Sequence, residues 1–208
     1  MSNTYRVIVI GGGVVGSSVL YHLAKLGWTD VCLLERSVLT AGSSWHAAGG
    51  IHALNADPNM ASLQAYTIDL LSEIQTESGQ DIGLSMTGGI TVASAPARWE
   101  WLQSAYRIFQ TIGIEDCYLM TPQDIKDKCP IMDISGVLGG LWCDREGYVD
   151  TTGTVHAYAG AAKKRGATVI EHTKVEELRQ RNDGSWDVIT DQGAFHAEHV
   201  VNAGGLWA

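Results

Sequence analysis

The 208-residue chain is 45% hydrophobic and only 18% charged, which is enough apolar material to bury a substantial core. Its net charge of −9, with KKR at 163–165 as the one basic run, argues against a nucleic-acid backbone as partner. The first apolar run is too short for a membrane span or signal peptide, and the four residues MSNT before it leave no room for a transit sequence, so a cytoplasmic location is expected.

In chain order, YRVIVIGGGVVGSSVLYHLAKLGWTDVCLLER comes first and is the clearest unit. VIVI is a β-branched run suited to a strand buried on both faces, the glycines open a helix through Lys25 that Gly27 closes, and VCLLE is a second buried strand. Together they predict a βαβ unit with a right-handed crossover. Residues 58–78 carry Leu63, Ile68, Leu71 and Ile74 at helical spacing up to Gly79. IGLSMTGGITVAS reads as two short strands around Gly88 and Gly89, PARWEWLQSAYRIFQTIG as a helix with an early Pro, TPQDIKDKCP as a short capped helix and GVLGGLWC as a strand. DTTGTVHAYAGAAKKRG is a small-residue helix, ATVIE a strand, and VEELRQRNDGSWDVITDQGAFHAEHVVNA an antiparallel meander turning at Asp183-Gly184 and Gln192-Gly193. The four cysteines form no C-x-x-C pair and have no His at metal spacing. Cys32 lies in an apolar run as a buried thiol, and a reducing compartment fits.

Gly11, Gly13 and Gly16 form G-x-G-x-x-G between the first strand and helix, and Glu35 ends the second strand. Gly11 permits the tight turn, Gly13 lets the backbone approach a pyrophosphate, and Gly16 lets the helix pack on the sheet. The positive end of the helix then holds the phosphates, while the Glu35 carboxylate accepts from ribose hydroxyls. Arg36 suggests a 2′-phosphate, but the acid before it would repel one. A glycine triplet alone is weak evidence; strand, triplet, helix, strand and acid in sequence are strong evidence for a dinucleotide. The motif does not choose between NAD and FAD. Among the histidines, His46 stands in AGSSWHAAGGIH, a stretch otherwise of small residues, where by residue type alone it is a loop His satisfied by backbone. His52 follows with no motif behind it, and neither His52 nor His22, His156, His172, His196 or His199 receives a role.

VIVIGGGVVGSSVLYHLAKLG, LLER, LTAGSSWHAAGG, GYVDTTG and VVNAGGLWA together resemble the dimethylglycine/sarcosine dehydrogenase family of flavoproteins, with a D-amino-acid-oxidase-like fold, over essentially the whole chain. The resemblance implies an α/β fold in which a Rossmann-like FAD-binding domain, residues 1–57 and 146–208, is split by an α+β substrate-domain insertion at 58–145. It implies FAD as cofactor, tethered at His46 through a ring nitrogen bonded to the flavin 8α carbon. Cofactor contacts are implied at Gly11, Gly13, Val14, Val15, Gly16, Glu35, Arg36, Ser43, Ser44, Trp45, His46, Gly49, Val175, Ala203 and Gly204, with Trp45 either walling the site or packing in a core. The chain, ending in an apolar strand and Gly-Gly, is expected to be an amino-terminal fragment, inactive by itself.

The implied reaction oxidises an N-methyl amino acid such as dimethylglycine or sarcosine, passing a hydride from the N-methyl carbon to flavin and leaving an iminium. Electron-transfer flavoprotein or oxygen would take the electrons, and tetrahydrofolate would take the one-carbon unit in some members. No metal, nucleic acid or membrane is implied. Arg98, Arg107 and Arg145 are candidates by type for a substrate carboxylate, though each also suits a solvated surface. Three other readings are an NAD(P)-dependent reductase, which would need a second glycine motif that is missing, a noncovalent amino-acid oxidase, and a non-catalytic relative such as a phosphatase regulatory subunit, which would lose His46.

Overall fold

A computed structural model describes residues 3–208 and divides into two compact units, Met1–Ala48 with Glu73–Ile82 and Asp150–Ala208, and Gly49–Ser72 with Gly83–Val149.

The first unit is built on strands β1 (Thr4–Ile10) and β2 (Val31–Leu34), joined by helix α1 (Val14–Lys25). The helix ends as its sequence predicts. Gly27 takes φ +89°, its N–H donates to the Ala24 carbonyl, and the Trp28 N–H donates to that of Leu23, which closes a Schellman turn. β2 is buried at every residue, and Ile8, Val9, Cys32 and Leu33 are fully enclosed, as an apolar run covered on both faces requires.

Four strands named from the far end of the chain complete this sheet. They are β8 (Thr168–Ile170), β9 (Val175–Gln180), β10 (Trp186–Thr190) and β11 (Gly193–Asn202), giving the order β8-β2-β1-β11-β10-β9. β8, β2, β1 and β11 are parallel, whereas β11, β10 and β9 form the antiparallel meander. The ten-residue β11 does both jobs, because its first half closes the hairpin with β10 and its length from His196 to Asn202 runs beside β1. Helix α5 (Thr151–Lys164) packs against α1; Asp150 caps it by accepting from the Thr152 and Gly153 N–H groups at 3.0 and 2.9 Å.

Helix α2 (Pro58–Ser78) begins in the second unit and ends in the first. Its last turns carry Glu73 and Glu77, whose carboxylates lie 3.0 and 3.2 Å from the hydroxyl of the fully buried Tyr21 and bond to Lys25 and Arg165. Those bonds are why Glu73–Ile82, inside the stretch 58–145 of the sequence reading, packs with the first unit. Desolvation and the two carboxylates push the Tyr21 phenol pKa up. Ile68, Leu71 and Ile74 are buried as their spacing predicts, but Leu63 is 56% exposed.

In the second unit, β4 (Gly89–Ala93), β5 (Cys117–Met120) and β6 (Gly139–Cys143) form an antiparallel sheet in the order β4-β6-β5. Helix α3 (Pro96–Thr111) places Leu102 and Phe109 in the core beneath it, and α4 (Pro122–Lys128) starts with a Thr121–Asp124 capping box. A two-residue ladder, β3 (Gly50–Ile51) with β7 (Gly147–Tyr148), is added. The expected two strands in IGLSMTGGITVAS reduce to β4 and a single bridge, Ser85 with Tyr148. β5 and the β3–β7 ladder were not anticipated.

Cys117 and Cys143 face each other across β5 and β6 and are disulfide-bonded. This pair departs from the expectation of a reducing compartment; Cys32 and Cys129 are free. Strand register brings the two together over a separation of 26 residues that carries no spacing signal. Burial pushes the Cys32 thiol up to about 12, so at neutral pH it is both enclosed and protonated. Iodoacetamide applied to the native protein is expected to label Cys129 and spare Cys32, with Cys32 labelled only after unfolding; peptide mapping of the adducts checks this.

Candidate cofactor site

The parallel pairing of β1 and β11 brings their exits together, since the Ala203 N–H donates to the Ile10 carbonyl at 2.8 Å and the Gly11 N–H to that of Leu34 at 2.9 Å. This is the carboxyl edge of a parallel sheet, where α/β folds place their ligands. Gly11 has φ +107°, and a Cβ there would lie 2.5 Å from the Ala203 carbonyl oxygen, so both conformation and crowding demand glycine. At Gly16 a Cβ would overlap the Gly11 carbonyl oxygen, so the helix there lies directly against the turn. Gly13 differs, because its Cβ would meet only the Ser44 hydroxyl, at 3.1 Å. It is the glycine whose missing side chain leaves open space.

Gly12, unassigned in the sequence, is the hinge of the arrangement. Its N–H donates to Glu35 Oε2 at 2.7 Å and its carbonyl accepts from the Thr40 N–H at 3.0 Å. The Ser37 N–H donates to the other oxygen of Glu35 at 2.8 Å. Glu35 is 9% exposed, and the two backbone donors replace the water that burial takes from its carboxylate. Each oxygen keeps a lone pair for a further donor, such as a ribose hydroxyl.

At the start of α1 the first turn carries no acidic residue and Gly13 offers no cap. The Val14 N–H is instead taken by Ser44 Oγ at 2.9 Å, from a loop thirty residues on. A hydroxyl oxygen thus occupies the place where a helix N-terminus holds a phosphate oxygen.

These groups surround a cavity of about 470 Å³, in the range of small-molecule sites. Of the predicted contacts, Gly11, Gly13, Val14, Val15, Glu35, Arg36, Ser43, Ser44, Val175, Ala203 and Gly204 line it, and Gly16 lies behind the turn. Trp45 and His46 do not line it. They are the exposed residues of a 3-10 turn, Ser44–His46, that starts at the lining Ser44, with ring centroids 3.8 Å apart and His46 Nδ1 3.3 Å from the Gly42 carbonyl. Gly49, with φ +78°, belongs to the second unit.

Thr173, Lys174 and Trp207 also line the cavity without having been predicted. The first two arrive through β2–β8 pairing, which continues past the strands as the Thr173 N–H donates to the Glu35 carbonyl and the His172 N–H to that of Ser37, both at 2.8 Å. Trp207 lies in the quoted GGLWA, and the Arg36 guanidinium stacks 4.1 Å above its ring, forming one wall. Aromatic character beside a glycine turn was the available signal. Backbone donors, an open glycine, a held carboxylate and an apolar wall together suit a dinucleotide.

Residues 6–208 match the family model described as FAD dependent oxidoreductase. The chain belongs to the FAD-dependent oxidoreductase family. It is 39% identical to human mitochondrial dimethylglycine dehydrogenase over 204 residues, 98% of this chain, and 35% identical to human mitochondrial sarcosine dehydrogenase over all of it. It spans 23% of the length of each of these relatives. Among solved structures, L-proline dehydrogenase from P. horikoshii superposes with a TM-score of 0.89 at 26% identity, covering all of this chain and 54% of that one. The glycines around the cavity separate by task.

Gly13→Val is expected to leave the melting temperature nearly unchanged but lower FAD affinity at least ~10-fold, or about 1.4 kcal/mol. Gly16→Ala should instead destabilise the fold by about 1–3 kcal/mol, because backbone carbonyl has to move. Thermal melts beside flavin-binding titrations of the two full-length variants distinguish these outcomes. Glu35→Gln, which replaces an acceptor oxygen with a donor facing backbone N–H, is expected to lose both affinity and stability, each by about 1–3 kcal/mol, in the same two assays.

Proposed function

We propose that the protein of which this chain forms part is an FAD-dependent oxidoreductase acting on the N-methyl group of a small amino acid of the dimethylglycine or sarcosine class, with FAD attached at His46. The observation that carries the reading is the continuity of the AGSSWH loop with the phosphate cradle. Ser44 meets the first N–H of α1, and two residues later His46 stands exposed with Nδ1 toward the Gly42 carbonyl. An Nδ1–H donating there leaves the Nε2 lone pair outward, and Nε2 is the nitrogen available to form the bond to the flavin.

The bound flavin supplies the two-electron acceptor that N-methyl oxidation requires. The residues of this chain bind and orient it. The α1 N-terminus, the Gly13 backbone and Ser44 hold the pyrophosphate, Glu35 accepts from the ribose hydroxyls, and Arg36 on Trp207 walls the cavity. The second unit is assigned the substrate role. Electron-transfer flavoprotein or oxygen as electron acceptor, and tetrahydrofolate as one-carbon acceptor, belong to the same proposal. The matched dehydrogenases are named as mitochondrial, so they do not carry the expectation of a cytoplasmic location. Among the described residues no helix is long and apolar enough to cross a membrane.

The test is made on the full-length protein, denatured in acid and freed of small molecules. Flavin absorbance is expected to stay with the wild-type chain and to leave the His46→Ala chain, while wild type reduces an artificial acceptor with dimethylglycine or sarcosine. Flavin washing off both chains, with turnover only of amino acids that carry no N-methyl group, would assign the protein to the noncovalent amino-acid oxidases.

A further inference from the structure

His52 carries no motif, yet the structure gives it a partner. In the β3–β7 ladder Gly50 lies opposite Tyr148 and Ile51 opposite Gly147, so His52 and Glu146 are the next facing residues. His52 Nδ1 is 3.2 Å from Glu146 Oε2, with the imidazole side chain 62% exposed and the carboxylate 6%. The carboxylate is built into the unit, because Glu146 fills the space that a side chain on Gly89 would need, and the Gly88 N–H donates to the Glu146 carbonyl at 2.8 Å. A buried carboxylate is costly unless paired. Arg145, the neighbouring cation, is turned onto Asp116 at 2.7 Å and Asp69 at 3.9 Å, and Tyr148 sits on the adjacent rung of the ladder.

A carboxylate only accepts, so Nδ1 carries the hydrogen, and Nε2, which lies beside Gly50 where a glycine leaves space, holds a lone pair when the ring is neutral. Charge then selects the ligand. With neutral imidazole the pair is anionic, which attracts an ammonium group and favours taking its proton. With imidazolium the pair sums to zero and offers no net field to a carboxylate. The pair therefore suits the amine end of an amino acid rather than its acid end.

We propose that His52, oriented by Glu146, is the proton acceptor for the substrate ammonium. The ammonium N–H bond breaks, an Nε2–H bond forms, and the electron pair stays on the substrate nitrogen, now a neutral amine. Only the neutral amine has the lone pair that lets its N-methyl carbon give up a hydride, so this proton transfer precedes oxidation. His52 is the catalytic residue and Glu146 a positioning residue. The inference rests on the N-methyl amino acid reading given above.

The experiment uses the full-length, flavin-loaded protein as wild type, His52→Gln and Glu146→Gln, with dimethylglycine as substrate. His52→Gln is expected to keep its flavin content and melting temperature, lose ~100-fold in kcat/KM near neutral pH, and regain rate as pH rises toward the substrate's own ammonium pKa. Glu146→Gln should lose less, and ¹⁵N spectra of its labelled histidines should show mixed tautomers at His52, where wild type shows Nδ1–H alone. If the His52→Gln profile superimposes on that of wild type, this inference fails and the functional reading stands. Lost rate accompanied by lost flavin or lowered melting temperature marks a structural role and also overturns it. Absence of any N-methyl amino acid turnover by wild type overturns both.

Discussion

The bond from the Gly12 N–H to Glu35 Oε2 is the constraint on which the cofactor site depends. A carboxylate this enclosed needs donors in place of its water, and hydrogen bonds to charged groups contribute about 1.5–3 kcal/mol each. The donors are backbone groups of the phosphate turn and of Ser37, so the acid intended for a ribose also holds the turn intended for the phosphates. Through the Gly12 carbonyl the same turn takes the Thr40 N–H, a residue at φ +72°, and so sets the path of the loop that carries Ser43, Ser44 and His46. One short stretch of backbone thereby links the glycine turn, Glu35 and the loop that carries Ser44.

The α1 N-terminus shows the same economy. A helix end without a capping side chain or acidic first turn leaves donors that need partners. Ser44 supplies one from a distance, using a hydroxyl that can give way to a phosphate oxygen and then donate to it. The hydroxyl comes from the loop that also carries His46, so that loop is joined to the start of α1.

The second unit solves a different problem with similar means. Glu146 is enclosed beside Gly89 and answered by an exposed imidazole, a one-sided burial that a purely structural ion pair does not require. Elsewhere in that unit the packing is ordinary, with Leu102, Phe109 and Leu141 closing an apolar core and the cross-strand disulfide lying within it. The β-ladder register places His52 and Glu146 face to face.

Local patterns in the sequence determined the βαβ start, the Schellman end of α1 and the capped α4, because each depends on residues within a few positions of one another. The sequence also carried the family, through GSSWHAAGG and VVNAGGLWA. Strand register lay beyond it. β11 serving both hairpin and central sheet, Thr173 and Lys174 reaching the cavity, Cys117 meeting Cys143, and His52 facing Glu146 all follow from pairings between segments 26 to 192 residues apart. A strand presents the same alternating pattern to any partner in any register, and only the packed fold selects one. The assignment of Glu73–Ile82 to the first unit was hidden for the same reason, since the periodicity of α2 does not reveal that its last turns would answer Tyr21, Lys25 and Arg165.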